Sequence, residues 1–404
     1  MKGFTGGRVR TAAICMATIS AGLLMGEQPA VAALDTSSVI STVAGTGTPG
    51  PSGDGGPATE ALLDRPRDID VGPDGSIYIA DTFNHAIRRV APDGTITRFA
   101  GTGVAGYGGD DGPATSAMLT WPHDVSVDQL TGDVYIADSN NNRVRKVDTS
   151  GIITTVAGNG RVGLAGDGRL ATTARLNKPK SVAVADGRLY IADGLNDTIR
   201  VVDLSTGIIT RFAGTGVAGF SGDGGPATEA MLNLPQRIAI GPRGGVYVTD
   251  SLNNRIRKIS VNGVINTIAG TGEPGFSGDG GDALLAKIKG PKGIAVNPYA
   301  SVVYFSDSEN NRVRQIDTRT GVISTIAGKA GKGFSGDGGP AGDAFLSNPR
   351  GLALDAWGRL LVADKGNSAI RVISPAEPPA AEPAPVEPAL AEPAPAEPAP
   401  EPGT

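Results

Sequence analysis

The stretch that decides the fold is residues 135–147, which read YIADSNNNRVRKV. In it, Asp138 is followed three residues later by Asn141 and seven residues later by Arg145. The same spacing of Asp, Asn and Arg occurs six times, and successive copies lie 55 or 57 residues apart. The copies begin at Asp81, Asp138, Asp193, Asp250, Asp307 and Asp364. A period of this length, in a glycine-rich chain of short apolar runs, is typical of a repeat array or a propeller.

Each copy contains enough alternating apolar sequence for four short strands. In the second copy, the alternation and the turn residues predict strands at 123–128, 133–138, 143–148 and 152–157. Four antiparallel strands of about six residues form one propeller blade. We therefore predict an all-β fold, a six-bladed β-propeller with four antiparallel strands per blade.

The two ends of the repeat array predict how the ring closes. The sixth copy supplies only three strands before a proline-rich segment begins. Residues 39–44, VISTVA, match the fourth strands at 264–269 (VINTIA) and 322–327 (VISTIA) almost letter for letter. We expect this N-terminal strand to complete blade six, because a closed ring leaves no free sheet edge between the first and last blades.

Both termini differ in composition from the repeats. Lys2, Arg8 and Arg10 precede an apolar run and an Ala-Val-Ala sequence at 30–32, which predicts a cleaved signal peptide over residues 1–32 and a secreted, extracellular protein. Residues 375–404 consist almost entirely of Pro, Ala and Glu, so we expect a disordered tail. The predicted propeller occupies residues 33–374. Its strands contain no cysteine, since the chain's one cysteine is Cys15.

The charge of the chain argues against one class of partner. The whole sequence has 36 basic and 41 acidic residues. Residues 1–32 carry three basic and one acidic residue, and residues 375–404 carry six acidic residues, so 33 basic and 34 acidic residues remain in the propeller. A nearly neutral body gives no general support for nucleic-acid binding. We also expect no membrane span in the mature chain, and a monomer.

The repeat resembles a known family. The segment YIADSNNNRVRKV, followed by a glycine turn and I-x-T-x-A-G, resembles the NHL repeat of six-bladed propellers. The linking sequence AGTGVAGFSGDGGPAT at 213–228 is similar to the bacterial and teneurin-type version. The resemblance covers residues 36–374 and implies the propeller fold. It leaves the function open, because the family contains RNA binders, protein-interaction modules, lyases and lactonase-like relatives.

Two sets of repeated carboxylates are expected to serve the fold. Six nearly identical copies indicate that each blade needs its Asp for its own turn, where the carboxylate accepts backbone N–H groups and pairs with the Arg seven residues later. The GDGG loops carry a second set: Asp54, Asp110, Asp167, Asp223, Asp279 and Asp337. Each loop supplies one carboxylate, whereas Ca²⁺ takes several oxygen ligands, so we expect these residues to cap their loops.

Function is expected where the copies differ. The residues that follow the repeated proline at the start of each first strand are Arg67, His123, Lys180, Gln236, Lys292 and Arg350. In a propeller these positions surround the mouth of the central channel. With Arg237, which stands one position further on, the cationic members predict a ligand site made of Arg67, His123, Lys180, Arg237, Lys292 and Arg350. The alternative interpretation is a set of salt bridges between blades.

Carboxylates are concentrated on the first two blades. Asp68, Asp70 and Asp124 are the candidate metal ligands, for which Ca²⁺ or Mg²⁺ would be suitable; no other cofactor is indicated. Together with His123, Asp68 and Asp124 are also the candidate catalytic residues of a divalent-cation-dependent lyase or lactonase-like enzyme at the channel mouth. The chain has only two histidines and none of the common hydrolase or phosphate-loop motifs. Catalysis is therefore the secondary interpretation.

The primary interpretation is an exported binding or scaffold propeller. Phe83, Leu195 and Leu252 are apolar residues in turns where other blades carry Asn140, Glu309 or Gly366. Apolar side chains on a loop-rich face suit a protein partner. We therefore expect the partner to be a protein or a cell-envelope polymer.

Overall fold

The computed structural model describes residues 33–297 and 301–376, and these residues form six antiparallel sheets. First strands of neighbouring sheets contact one another, so they lie around the central axis and the later strands lie progressively outward. The predicted six-bladed β-propeller is confirmed. The predicted signal peptide at residues 1–32 and residues 377–404 of the predicted tail lie outside the described residues.

The strands of the first three blades follow the alternating pattern closely. Blade one contains Asp68–Val71, Ile77–Asp81, Ala86–Val90 and Ile96–Ala100. Blade two contains Pro122–Val127, Val134–Asp138, Arg143–Val147 and Ile152–Ala157. Blade three contains Ser181–Ala185, Arg188–Asp193, Thr198–Asp203 and Ile208–Ala213. The linking loops add a short fifth strand to blades two and three, at Gly112–Pro113 and Arg169–Leu170.

The last three blades have the same order, and the sixth is completed from the other end of the chain. Blade four contains Pro235–Ile240, Val246–Asp250, Arg255–Ile259 and Ile265–Ala269. Blade five contains Pro291–Asn297, Val302–Asp307, Arg312–Asp317 and Ile323–Ala327. Blade six contains Leu352–Leu354, Leu360–Asp364, Ala369–Ser374 and Val39–Ala44. The predicted closure by residues 39–44 is confirmed, with Val39 opposite Ser374 and Ala44 opposite Ile370.

Each repeat also contains two single-turn 3₁₀ helices. Those in the linking loops are Ala58–Glu60, Ala114–Ser116, Ala171–Thr173, Ala227–Glu229, Ala283–Leu285 and Ala341–Asp343. Those between the second and third strands are Thr82–Asn84, Ser139–Asn141, Gly194–Asn196, Ser251–Asn253, Ser308–Asn310 and Lys365–Asn367. A further 3₁₀ turn is Pro242–Gly244. In the described part of the chain, no helix is long and apolar enough to cross a membrane.

The hydrophobic core lies between blades rather than within one of them. One buried cluster, for example, joins Ile69 and Ile79 of blade one to Leu361 and Ile370 of blade six. Equivalent clusters fill the other gaps between neighbouring blades. Because each blade buries its faces against its neighbours, the six repeats stabilise one another.

Candidate functional site

The long linking loops and the turns between strands two and three share one face, which we call the upper face. In every blade the turn Asn donates a side-chain hydrogen bond to a glycine carbonyl of the loop, at 2.5–2.8 Å. In blade one, Asn84 Nδ2 donates to the Gly50 carbonyl. This hydrogen bond holds the linking loop of each blade to the turn between its second and third strands. Together these segments form the surface that is open to a ligand.

The repeated Asp, Asn and Arg form a buried network in each blade. In blade four, Asp250 accepts the Asn233 N–H at 2.8 Å and the Asn253 side-chain N–H at 2.8 Å, and its Oδ2 lies 3.2 Å from Arg257 Nη1. The other five blades have the same contacts, with Asp-to-Arg distances of 3.5 or 3.6 Å. Because each blade needs this network to hold its own turn, the fold explains why Asp, Asn and Arg recur in all six copies.

The loop carboxylates have a larger role than capping. In each blade the repeated Arg makes its shorter contact with the Asp of the GDGG loop, as in Arg88 to Asp54 at 2.8 Å and Arg314 to Asp279 at 2.7 Å. The fully buried guanidinium thus lies between two carboxylates. The expectation that these loop residues only cap their own loops was too narrow, because the Arg reaches the loop from the third strand.

Variable residues of the first strands meet at the channel mouth. A small cavity there is lined by Arg67, Asp68, His123, Asp124, Lys180, Gln236, Arg237, Lys292, Arg350 and Gly351. Its volume is about 10 Å³, which is about the room that one water molecule needs. All six predicted ligand-binding residues, one from each blade, therefore line one cavity.

Arg237 differs from the other cations of the mouth because it forms ion pairs with two carboxylates. Its Nη1 forms ion pairs with both Asp68 and Asp124, and all three side chains are buried. Asp68 also accepts the Val125 N–H, and Asp124 accepts the Val182 N–H. The group links blades one, two and four across the axis, so the interpretation of salt bridges between blades applies to these three residues.

The candidate metal ligands do not converge on an open position. Asp70 accepts the N–H groups of Val71 and Val127 at 2.9 and 2.8 Å and forms no ion pair with Arg237. Within residues 33–297 and 301–376, no three His, Cys, Asp or Glu side chains are grouped as a metal site. A cation bound by Asp68 and Asp124 would have to displace the Arg237 guanidinium.

Three cations of the mouth lack a carboxylate partner. Among the described residues, no Asp or Glu forms an ion pair with Arg67, Lys180 or Arg350, whereas Lys292 Nζ lies 3.5 Å from Glu309. Burial and the charges of Arg67 and Arg350 lower the pKa of Lys180 to about 7. Burial and Arg350 lower the pKa of Lys292 to about 8. The mouth therefore holds positive charge that is not paired with a carboxylate of the described residues.

Polar atoms at the mouth also lack partners. Arg67 Nε, Arg350 Nε and Gln236 Oε1 are buried and have no hydrogen-bond partner within the described residues. Burial and the charges of Arg67, Lys180 and Arg350 hold the pKa of His123 well below its usual value, so its imidazole is neutral at neutral pH. Buried polar groups without partners cost free energy, and a ligand or water that binds them recovers it.

Sequence reasoning missed one residue of this region. Burial and the charges of Arg350 and Arg67 lower the pKa of Lys365 to about 8, which places its ammonium group near the mouth. Lys365 follows the repeated Asp364, at a position where the other five blades have Thr, Ser or Gly. Lys365 is the one cationic residue among six equivalent positions, and this difference between the copies is visible in the sequence.

The predicted partner-binding residues differ in accessibility. Leu195 and Leu252 are 46% and 58% exposed on the upper face. Phe83 is only partly exposed, because it packs against Trp121 with ring centroids 4.8 Å apart and lies under the Arg65 guanidinium. Partner binding by these three residues stays a prediction.

Sequence comparison identifies the repeats. The NHL repeat family matches residues 63–89 and 119–147, and the teneurin NHL domain family matches residues 217–277. Each matched segment contains one copy of the Asp, Asn and Arg network described above. The chain is an NHL-repeat propeller.

The relatives of this NHL propeller are similar over most of its length. Teneurin-4 of Mus musculus is 32% identical over 357 residues, and teneurin-1 of Homo sapiens is 30% identical over 380 residues. These alignments cover 78% and 83% of this chain, but the chain spans only 12% and 13% of the teneurins. The similarity therefore concerns one domain of much larger proteins.

Solved structures share the propeller architecture. A Bacteroides thetaiotaomicron protein of unknown function has a TM-score of 0.62 at 17% identity, covering 83% of this chain and 75% of that one. An auxiliary nutrient binding protein from Bacteroides ovatus has a TM-score of 0.61 at 18% identity, covering 84% of this chain and 77% of that one. At these identities the likeness concerns the fold alone.

Proposed function

We propose that this NHL propeller is an exported binding module whose channel mouth holds an anionic group of an envelope polymer or protein partner. The observation that carries the proposal is the set of partly buried cations, Arg67, Lys180 and Arg350, that have no carboxylate partner among the described residues. Like charges brought together under low-dielectric conditions repel, and a bound anion offsets that cost. The predicted signal peptide supports an extracellular location.

The small cavity favours a compact charged group over a whole ligand. Its volume of about 10 Å³ is the room of one water molecule, so it can take one leading oxygen atom of a carboxylate, phosphate or sulfate group, while the rest of the partner stays outside on the upper face. Guanidinium groups match the oxygen geometry of such anions, and the two arginines supply several donors. The Asp68, Arg237 and Asp124 ion pairs stay intact below the ligand in this proposal.

The test reverses two charges at the mouth. In Lys180→Glu/Lys292→Glu, we expect binding of sulfate and inorganic phosphate, measured by isothermal titration calorimetry at low salt, to be abolished. Binding by the wild type should weaken steeply as salt is added, because the attraction is electrostatic. Without ligand, the double variant should melt near the wild-type temperature, since the repulsion relieved at Lys180 is offset by the loss of the Lys292 contact with Glu309.

The matched control makes the same change of net charge elsewhere. Lys146 pairs with Asp133 and Lys258 lies on Tyr247, and neither lysine lines the cavity. Lys146→Glu/Lys258→Glu should therefore keep anion affinity. Equal anion affinity in the two double variants, or no anion binding by the wild type, would contradict the proposal.

A further inference from the structure

An aromatic pair lies at the edge of the channel mouth. Trp121 immediately precedes the first strand of blade two, and Phe83 lies in the upper turn of blade one. Their ring centroids are 4.8 Å apart with an angle of 31° between the ring planes. Both side chains are partly exposed on the upper face. The pair therefore offers an accessible aromatic surface, which we call the aromatic ledge.

The ledge is continuous with the cationic cavity. Arg67 lines the cavity, and its guanidinium carbon lies 5.6 Å from the Trp121 ring centroid and 5.7 Å from that of Phe83. Arg65 lies over Phe83 at 4.6 Å, with its side chain 54% exposed. A ligand with its charged end beside Arg67 would thus extend over an aromatic surface bordered by guanidinium donors.

The fold does not require an aromatic residue at either position. The residue before each first-strand proline has a left-handed backbone in all six blades, and these residues are Arg65, Trp121, Lys178, Leu234, Gly290 and Asn348. Each donates its N–H to a side chain of the preceding blade, as Trp121 does to His85 Nδ1 at 3.3 Å. Leu234, Gly290 and Asn348 adopt the same backbone conformation at this position, so the conformation does not depend on an aromatic side chain.

A bulky side chain in the left-handed region is strained, so Trp121 is held there at some cost. The counterparts of Phe83 in the other blades are Asn140, Leu195, Leu252, Glu309 and Gly366. Among the six blades, aromatic residues occupy these two positions only where blades one and two meet. The ledge is therefore a feature of one sector of the mouth and not of the repeat.

We propose that the mouth and the ledge together bind a sugar ring that carries an anionic group. This inference rests on the proposed function above and names the ligand class. The cavity has room for one oxygen atom of the acid group, which Arg67, Lys180 and Arg350 would hold at the mouth. The sugar ring then lies outside, where its C–H bonds pack on the negative face of the Trp121 ring and its hydroxyls accept hydrogen bonds from Arg65.

Two other ligand classes fit the surroundings less well. Nucleic acids bind along extended basic surfaces with rows of aromatic residues, whereas this body is nearly neutral and the ledge is a single pair. A peptide anchored by an aromatic side chain needs an apolar pocket, but the ledge is bordered by Arg65, Arg67 and His85. A sugar matches a surface that combines one aromatic face with many donors.

Tryptophan fluorescence offers a direct test. The chain has two tryptophans, and Trp357 is 65% exposed in the turn between the first two strands of blade six, on the face opposite the mouth. In Trp357→Phe, Trp121 is the one remaining tryptophan. We expect glucose 6-phosphate and glucuronate to change its emission and to bind about tenfold tighter than inorganic phosphate, and glucose alone to bind weakly.

A second variant separates the ring from the charge. Trp121→Leu keeps a residue that the same backbone position carries at Leu234, so the fold should be retained. Calorimetry should show unchanged affinity for inorganic phosphate and loss of the tenfold gain for both anionic sugars. Leu285→Ala, which alters an apolar residue that is 73% exposed in the linking loop before blade five, is the matched control and should keep that gain.

The outcomes distinguish this inference from the proposed function. If glucose 6-phosphate and glucuronate bind no tighter than inorganic phosphate, while Lys180→Glu/Lys292→Glu still abolishes phosphate binding, the sugar inference is wrong and the anion site stands. If no anion binds, both are wrong. A single-stranded oligonucleotide that binds tighter than either sugar, in a manner dependent on Trp121, would overturn the inference in favour of nucleic acid.

Discussion

The repeated network and the channel mouth both bring positive charge into the protein. In the network every Arg has carboxylate partners, whereas three cations of the mouth have none among the described residues. In the network each fully buried Arg lies between two carboxylates, as Arg88 does between Asp54 and Asp81. At the mouth, Arg67, Lys180 and Arg350 are brought together with no carboxylate partner among the described residues. The network, identical in six copies, stabilises the fold, whereas the mouth, which varies between copies, leaves charge available for a ligand.

Their energetic consequences differ for the same reason. Removing one partner of a buried, hydrogen-bonded ion pair lowers the stability of the folded protein, because the other charge is left buried and unpaired. An unpaired buried cation lowers stability instead, and its removal is expected to be neutral or stabilising. Stability and ligand binding should therefore respond to mutation in different parts of this molecule.

The largest effect is expected from opening the ring on which both regions depend. A variant that begins at Gly45 lacks the fourth strand of blade six and the fully buried Ile40, and it leaves the outer edge of Ala369–Ser374 unpaired. Loss of Ile40 packing alone costs about 2–5 kcal/mol. Thermal unfolding should show a much lower melting temperature or no cooperative transition.

The control for this truncation is a variant that ends at Ser374. It removes the proline-rich segment and keeps all strands, so it should melt like the full chain. A variant beginning at Gly45 that melts together with this control would show that blade six does not need the N-terminal strand.

A smaller effect is expected from breaking one copy of the network. Asp250→Ala removes the carboxylate that accepts hydrogen bonds from the Asn233 N–H, the Asn253 amide and Arg257. The free energy of unfolding should fall by about 1–3 kcal/mol, as measured by urea denaturation. Leu252→Ala, two residues away on the surface, should change it by less than about 0.5 kcal/mol. Equal stability of Asp250→Ala and wild type would remove the structural explanation of the repeats.

The smallest effect concerns pH and distinguishes the mouth from the network. The folded pKa of Lys180 is about 7 and lies below its unfolded value, so the unfolded state binds more protons between pH 7 and 10. This lysine therefore costs stability at pH 6, and the cost disappears as pH rises through that window. Lys180→Met should melt above wild type at pH 6, and the difference should shrink by pH 9.5.

Sulfate affinity should change in the same window, in the opposite sense. Wild type should bind sulfate about tenfold more weakly at pH 9 than at pH 6, because Lys180 and Lys292 lose their charge. Sulfate keeps its own charge across this range. A melting difference and a sulfate affinity that are both independent of pH would mean that these lysines are not forced together as described.

Much of the site could be predicted because the repeat fixes equivalent positions. Once the register of the first strands is known, Arg67, Lys180, Lys292 and Arg350 must surround the same axis. The closing strand at 39–44 was predictable for a similar reason, since its letters match those of other fourth strands. Lys365 was missed, although its column of small residues marked it as unusual.

The sequence by itself determined the number of blades, the closing strand and the ring of variable first-strand residues, because these depend on local patterns repeated at a fixed period. Only the tertiary structure decided which charges at the channel mouth form ion pairs. Arg237 reaches Asp68, 169 residues away, and Asp124 on a third blade, while Arg67, Lys180 and Arg350 form no ion pair within the described chain. Such pairing depends on how side chains from different blades meet at the axis, and a repeat pattern contains no information about those distances.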